Sequence, residues 1–190
     1  MAVHAAPRRL ALLGALALAA VGCSLDGGTE LPEEQQVTNP RNITYAQSFV
    51  PEIALNSMRV VDSGLFVQDF TVGIGDSVVR RDTVRSVIAT EESQLNVNYR
   101  LWLPNGAQVD SSRDGNGRFG PVQFALARTI RGWQRGLQGM RVGGRRRLVL
   151  SPLWGYGFAP QRNEQGQVLI PANSVLVFDV TLNGISRATP

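Results

Sequence analysis

The chain contains no lysine, a single histidine and a single cysteine. His4 and Cys23 both stand near the N-terminus, so everything after residue 23 is without imidazole or thiol. A serine hydrolase needs a base beside its nucleophile; with no later histidine and no GxSxG string, a standard triad is excluded. Zinc sites built from His and Cys are excluded on the same count, and no metal site is expected. One cysteine cannot close an internal disulfide. All 19 basic side chains are arginine, and the formal net charge is +4. Two of those charges, Arg8 and Arg9, fall in a leader-like segment, so the basic balance is no argument for a nucleic-acid partner. Charged residues are 18% of the chain and hydrophobic residues 43%; that excludes a disordered polyampholyte and leaves enough apolar surface for a core.

Long apolar runs are also missing. Residues 10–21 are apolar, too short for a bilayer span of about 20 residues. Behind Arg8 and Arg9 they follow the pattern of a secretory signal. Ala20-Val21-Gly22-Cys23 resembles a bacterial lipobox, in which the cysteine is lipidated and becomes the first residue. This reading makes 1–22 a signal peptide, Cys23 the lipidation site and 23–57 a lipidated N-terminus followed by a flexible tether, since "SLDGGTELPEEQQVTNPRNITY" is polar and rich in Gly, Pro, Glu and Gln. Acyl chains would hold the protein to a membrane without a transmembrane helix. Ser24 gives no inner-membrane retention signal, so the expected location is the outer membrane, facing the periplasm.

The domain is expected over 58–190. "MRVVDSGLFVQDFTVGIGDSVV" (58–79) mixes β-branched and aromatic residues with Gly, Asp and Ser. "LNVNYRLWL" (95–103) places Leu95, Val97, Tyr99, Leu101 and Leu103 on one face, the alternation of a half-buried strand. "RRRLVLS" (145–151) and "SVLVFDVTLNGI" (174–185) read as two more strands, with a long loop over 155–171 between them. The run Arg145-Arg146-Arg147 reads as the solvated start of a strand, its stems covering apolar surface. In "IRGWQRGLQGM" (130–140), Ile130, Trp133, Leu137 and Met140 form a helical stripe, with Gly132, Gly136 and Gly139 along its flank. Glycine costs a helix about 1 kcal/mol relative to alanine, so these three are expected to give clearance for close backbone approach. The fold class is α+β: a twisted antiparallel sheet wrapped around one short helix.

Two familiar motifs fail on context. Gly115-Asn-Gly117-Arg-Phe-Gly120 fits GxGxxG, but Asp110 to Asp114 precede it and Pro121 follows it, where a strand and a helix are required. "DSSRDG" (110–115) begins like a calcium loop, yet the twelfth position is Pro121 instead of glutamate.

A set of strings does hold together. "VNYRLWLPNGAQVDSSRD" (97–114), "IRGWQRGLQGMRVGGRRRLVLSP" (130–152), "WGYG" (154–157) and "IPANSVLVFDVTL" (170–182) occur in that order. As an ordered set they resemble the FKBP-type peptidyl-prolyl cis-trans isomerases over about residues 58–186. The resemblance implies a cleft between sheet and helix, floored by Trp133 and lined by Tyr99, Asp110, Ile130, Tyr156 and Phe178. It implies that the Ile130 N–H and the Tyr156 hydroxyl meet substrate carbonyls, and that Val109, Val122, Thr129, Leu169 and Ile170 form further wall. No cofactor is implied. The implied partners are proline-containing polypeptide clients and, through the anchor, a membrane surface, for a monomer that does not bind nucleic acid.

The chain departs from the family's strings at several places. Val109 and Val122 stand where aromatics are usual, Leu101 and Ala127 where glycine is, and Ala172 where a second proline is. The stretch 124–130 is about two residues short, and 85–94 reads as an insertion. These changes motivate an alternative: a non-enzymatic chaperone or scaffold module with a worn pocket.

Overall fold

The computed structural model describes residues 37–75 and 93–187. The leader, Cys23, the first part of the expected tether and most of the 85–94 insertion lie outside the described residues. Seven strands form one sheet in the order β1 (Arg59–Asp62), β2 (Leu65–Thr71), β6 (Arg145–Leu150), β9 (Leu176–Arg187), β3 (Ser93–Trp102), β4 (Gln108–Ser111), with β5 (Val122–Ala125) paired to the first half of β3. The pairings are antiparallel. One α-helix, α1 (Arg131–Gly136), is present among the described residues. The segment expected as a loop over 155–171 instead contains a small hairpin, β7 (Gln161–Arg162) with β8 (Val168–Ile170). Asn163 closes it: its Oδ1 accepts from the Gln165 and Gln167 N–H groups, and Gly166 sits at φ 78°. A polar, glycine-containing stretch thus encodes a turn through side-chain acceptance.

Both faces of the sheet are covered. The inner face carries Leu65, Val67, Leu95, Val97, Leu101, Leu148, Leu150, Leu176, Phe178, Val180 and Leu182, packed with Trp133, Leu137 and Met140. Tyr99 and Leu103 continue the same face half-buried, so the alternation of 95–103 is realised in full. The outer face carries Phe66, Val149, Val175 and Val177, packed with Phe49, Ile53, Leu55 and Met58. Because β6 is covered on both sides, its apolar residues run without polar alternation.

That outer layer corrects the domain boundary. Residues 37–57 are not a solvated tether: "SFVPEIALNSM" (48–58) supplies four apolar side chains to the outer core. Ala46 N–H donates to the Pro104 carbonyl at 2.8 Å, and the Phe49 ring meets Trp102 edge-on at 5.9 Å. The polar composition upstream had masked an apolar spacing too irregular to read as helix or strand.

The arginine run is corrected too. Arg146 and Arg147 are only 4% and 2% exposed. Arg147 forks onto the Asp179 carboxylate (2.6 and 2.9 Å), donates to the Pro51 carbonyl and stacks on Phe49 and Phe70. Arg146 forks onto Asp69 (2.6 and 2.9 Å) and donates to the carbonyls of Gly136, the last residue of α1, and of Gln138 just beyond it. Bidentate pairing with a carboxylate and further bonds to backbone carbonyls offset the burial of the two charges. Arg145 remains the exposed member and shares Asp179.

α1 is shorter than its apolar stripe. Gly139 sits at φ 71° and turns the chain, so Met140 reaches the core from beyond the helix. Gly132 and Gly136 do the work expected of them. A Cβ at Gly132 would lie 2.6 Å from Leu150 Cδ1 and 2.8 Å from the Trp154 carbonyl, and one at Gly136 would lie 2.6 Å from Leu148 Cδ2. Gly139 has nothing within 4 Å, so its need is for backbone conformation instead.

Candidate functional site

A cleft of about 360 Å³ opens between α1 and the inner face of β3 and β9. Its floor is Trp133, which begins the helix interior and is 4% exposed. Three rings stand edge-on to that indole: Tyr99 at 5.4 Å and 85°, Phe178 at 5.5 Å and 78°, and Phe124 at 5.7 Å and 88°. Each aromatic comes from a different strand, β3, β9 and β5, and edge-to-face contacts hold the set open at the top. The Trp133 indole N–H is buried without an acceptor among the described residues.

The polar groups sit at the edge of this box. Tyr99 donates its hydroxyl to Asp110 at 2.6 Å, and the other Asp110 oxygen accepts from the Ser111 N–H at 2.7 Å. Asp110 is therefore both a turn cap and a cleft residue. Ser112, almost fully buried, locks the same corner: its hydroxyl accepts from the Tyr99 N–H at 3.0 Å. Tyr156 is half-buried and its hydroxyl has no partner among the described residues. Its neighbour Gly157 is fixed on both sides: the Gly157 N–H donates to the Pro152 carbonyl at 2.9 Å, and the Gly157 carbonyl accepts from the Asn173 N–H at 2.9 Å. The Ile130 N–H, just before α1, likewise donates to no acceptor among the described residues. Burial, and after it the nearby Asp110 charge, raises the pKa of Tyr156; burial and the hydrogen bond to Asp110 raise that of Tyr99. Both hydroxyls remain protonated donors through the neutral range.

The structure brings together Tyr99, Asp110, Thr129, Ile130, Trp133, Tyr156 and Phe178 around the cleft. It does not bring Val109, Val122, Leu169 or Ile170 to its lining. Val109 is the extra residue of a bulge, since Leu101 pairs with Asp110 and Trp102 with Gln108. Ile170 is 5% exposed in the core, and its strand neighbour Leu169 points out, 43% exposed. Val122 packs against the core opposite Val97, two pairs before Phe124, which faces Leu95. Phe124 thus fills the aromatic wall expected at Val122; sequence reasoning placed that wall two residues too early. The period-2 pattern of "VQFA" makes Val122 and Phe124 equivalent in facing, and only the tertiary packing decides that Phe124 is the one that meets Trp133. Arg128 is the other lining residue that the sequence did not single out. Among the described residues no cluster of three or more His, Cys, Asp or Glu could hold a metal.

The domain is thus an antiparallel sheet around one short helix, with an aromatic-floored cleft and two unengaged donors at its edge. Comparison with known proteins carries this further. The family model described as FKBP-type peptidyl-prolyl cis-trans isomerase matches residues 86–183, just over half the chain. The chain is 38% identical over 124 residues to a probable FKBP-type peptidyl-prolyl cis-trans isomerase of Haemophilus influenzae, covering 65% of this chain and 43% of that protein. It is 33% identical over 121 residues to an FK506-binding protein of Neisseria meningitidis, covering 63% of this chain and 94% of that one. Among solved structures it resembles a peptidyl-prolyl cis-trans isomerase of Pseudomonas syringae (TM-score 0.54, 25% identity, covering 68% of this chain and 81% of that one) and FkpA of Escherichia coli (TM-score 0.51, 31% identity, 66% and 49%). The chain belongs to the FKBP-type peptidyl-prolyl cis-trans isomerase family. It spans less than half the length of the Haemophilus relative.

Proposed function

We propose that this protein is a peptidyl-prolyl cis-trans isomerase acting on proline-containing segments of exported polypeptides. The observation that carries the reading is an aromatic box floored by Trp133, with the Ile130 N–H and the Tyr156 hydroxyl left unpaired at its edge. An X–Pro bond prefers trans only slightly but isomerises over tens to hundreds of seconds. The barrier comes from amide resonance, about 18–20 kcal/mol for a peptide bond. Lowering it requires no nucleophile and no proton transfer, which suits a domain without histidine. The planar amide is more polar than the twisted one. A proline ring seated on Trp133 among Tyr99, Phe124 and Phe178 therefore places the bond where its twisted form is favoured relative to water, an instance of differential binding. Ile130 N–H and Tyr156 O–H fix the flanking carbonyls, so that rotation is confined to one bond. Asp110 orients Tyr99 through their hydrogen bond.

A protease-coupled or NMR exchange assay on proline tetrapeptides tests the proposal; rates equal to the uncatalysed reaction would refute it. The rival reading, a chaperone with a worn pocket, rests on the valines at 109 and 122 and on the altered loops. Phe124, edge-on to Trp133, supplies an aromatic wall in spite of Val122 and removes one of those supports. The location proposed is the periplasmic side of a bacterial outer membrane, reached through the signal-like residues 1–22 and lipidation of Cys23. Cys23→Ser should move the protein from the membrane to the soluble fraction; unchanged fractionation would end the anchoring proposal.

A further inference from the structure

Two charged residues line the cleft, Asp110 and Arg128, and they are in different situations. Both Asp110 oxygens are engaged, by the Tyr99 hydroxyl and the Ser111 N–H. Arg128 is exposed and, among the described residues, forms no ion pair and donates no hydrogen bond. Its backbone nevertheless is fixed. It closes the 3₁₀ turn Leu126–Arg128, whose first residue is buried. The Thr129 hydroxyl donates to the Leu126 carbonyl at 2.7 Å. Gln134, from α1, reaches back to the carbonyls of Ala127 at 3.2 Å and Thr129 at 2.7 Å. Four side-chain and packing restraints thus surround one free guanidinium and hold its root beside Ile130, whose N–H edges the same cleft.

We infer that Arg128 is a specificity-determining residue, and that the cleft favours X–Pro segments with an acidic side chain immediately beside the proline. This inference rests on the isomerase reading for its kinetic form but not for its binding form. A carboxylate next to the seated proline finds an unpaired guanidinium with five donors in a planar fork. A basic side chain there meets like charge at Arg128, and only the Asp110 carboxylate on the Tyr99 side of the cleft opposes this. The pair is solvent-exposed, so its magnitude is that of a surface ion pair, a preference of roughly 1.5- to 5-fold. It should weaken as salt shortens the screening length.

The test uses the full chain and three matched peptide sets carrying Glu, Gln or Lys directly before or directly after proline. Relative kcat/KM is read by the isomerase assay and relative Kd by NMR titration. Glu over Lys is expected at roughly 1.5- to 5-fold in at least one of the two positions, shrinking toward unity in 0.5 M salt. Arg128→Glu should reverse the order and Arg128→Gln should abolish it. Arg59→Glu makes the same change in net charge on the distant β1 edge and should leave the order as it was. Equal Glu and Lys values in both positions, or a preference that survives Arg128→Glu, would overturn the inference. If no peptide is isomerised, the isomerase reading fails on its own, and the Kd ratio still decides for or against Arg128.

Discussion

Gly132→Ala isolates the close approach of α1 to β6. Taken as a helix residue, alanine should stabilise by about 1 kcal/mol. The structure opposes that gain. The new methyl would lie 2.6 and 2.8 Å from the two methyls of Leu150 and 2.8 Å from the Trp154 carbonyl. Carbon atoms prefer about 3.5–4.0 Å, so roughly 1 Å of separation must be found. Leu150 is fully buried and the carbonyl is backbone, so neither can swing away. Overpacking of this kind costs about 1–3 kcal/mol. Offsetting the propensity gain, the net expectation is a loss of up to about 2 kcal/mol, or a fall in Tm of up to roughly 8 °C for a chain of this size. Thermal and urea unfolding followed by circular dichroism measure it. Gly139→Ala is the informative partner, because it meets no atom within 4 Å and pays only for its positive φ. Raised stability in Gly132→Ala would refute the claim that a missing Cβ sets the helix–sheet spacing. Because Trp133 is the next residue, the substitution should also lower peptide affinity in the same NMR titration.

Other consequences can be measured in parallel. Tyr156→Phe should lower kcat/KM by about 2- to 10-fold, one hydrogen bond's worth, while leaving Tm within about 1 °C, since that hydroxyl has no partner in the folded protein among the described residues. Phe124→Ala should lower kcat/KM further than Val122→Ala; the reverse order would return the aromatic wall to residue 122. Asp179→Asn leaves Arg147 buried without its counter-charge, an effect of about 3–5 kcal/mol, and hydrogen exchange should rise first in residues 48–58, which Arg147 clasps. The raised pKa values of Tyr45, Tyr99 and Tyr156 mean that their contribution to stability is present in full below the ordinary tyrosine value near 10 and is lost as pH rises above it. Urea midpoints should therefore be level in this respect up to about pH 10 and decline beyond; a decline beginning near pH 8 would contradict the assignment.

Much of the site was legible through the family resemblance, which is carried by local strings. Trp133, Ile130, Tyr99, Asp110, Tyr156 and Phe178 each sit at a fixed offset within a strand, a turn or the helix start, and those offsets survive changes elsewhere in the chain. Phe124 was not legible for the converse reason: its facing equals that of Val122, and only packing against Trp133 distinguishes them. Leu169 and Ile170 failed similarly, because a stretch read as loop folds into a two-residue strand pair whose alternation sends one side chain inward and the other out. Arg146 and Arg147 looked like surface because charge in sequence says nothing about a carboxylate from a strand more than 30 residues away.

Through the family resemblance the sequence marked Trp133 as the floor; by itself it determined the α+β class and marked strand-like stretches within 58–79, 95–103, 145–151 and 174–185. Those features depend on periodicity and on short-range turn chemistry, which neighbouring residues write directly. The tertiary structure decided what covers the outer face, which phenylalanine completes the wall, and which of three consecutive arginines stays in water. Those outcomes depend on burial by distant segments: residues 48–58 close over β6 and β9, and Asp179 and Asp69 supply the charges that let Arg147 and Arg146 leave solvent.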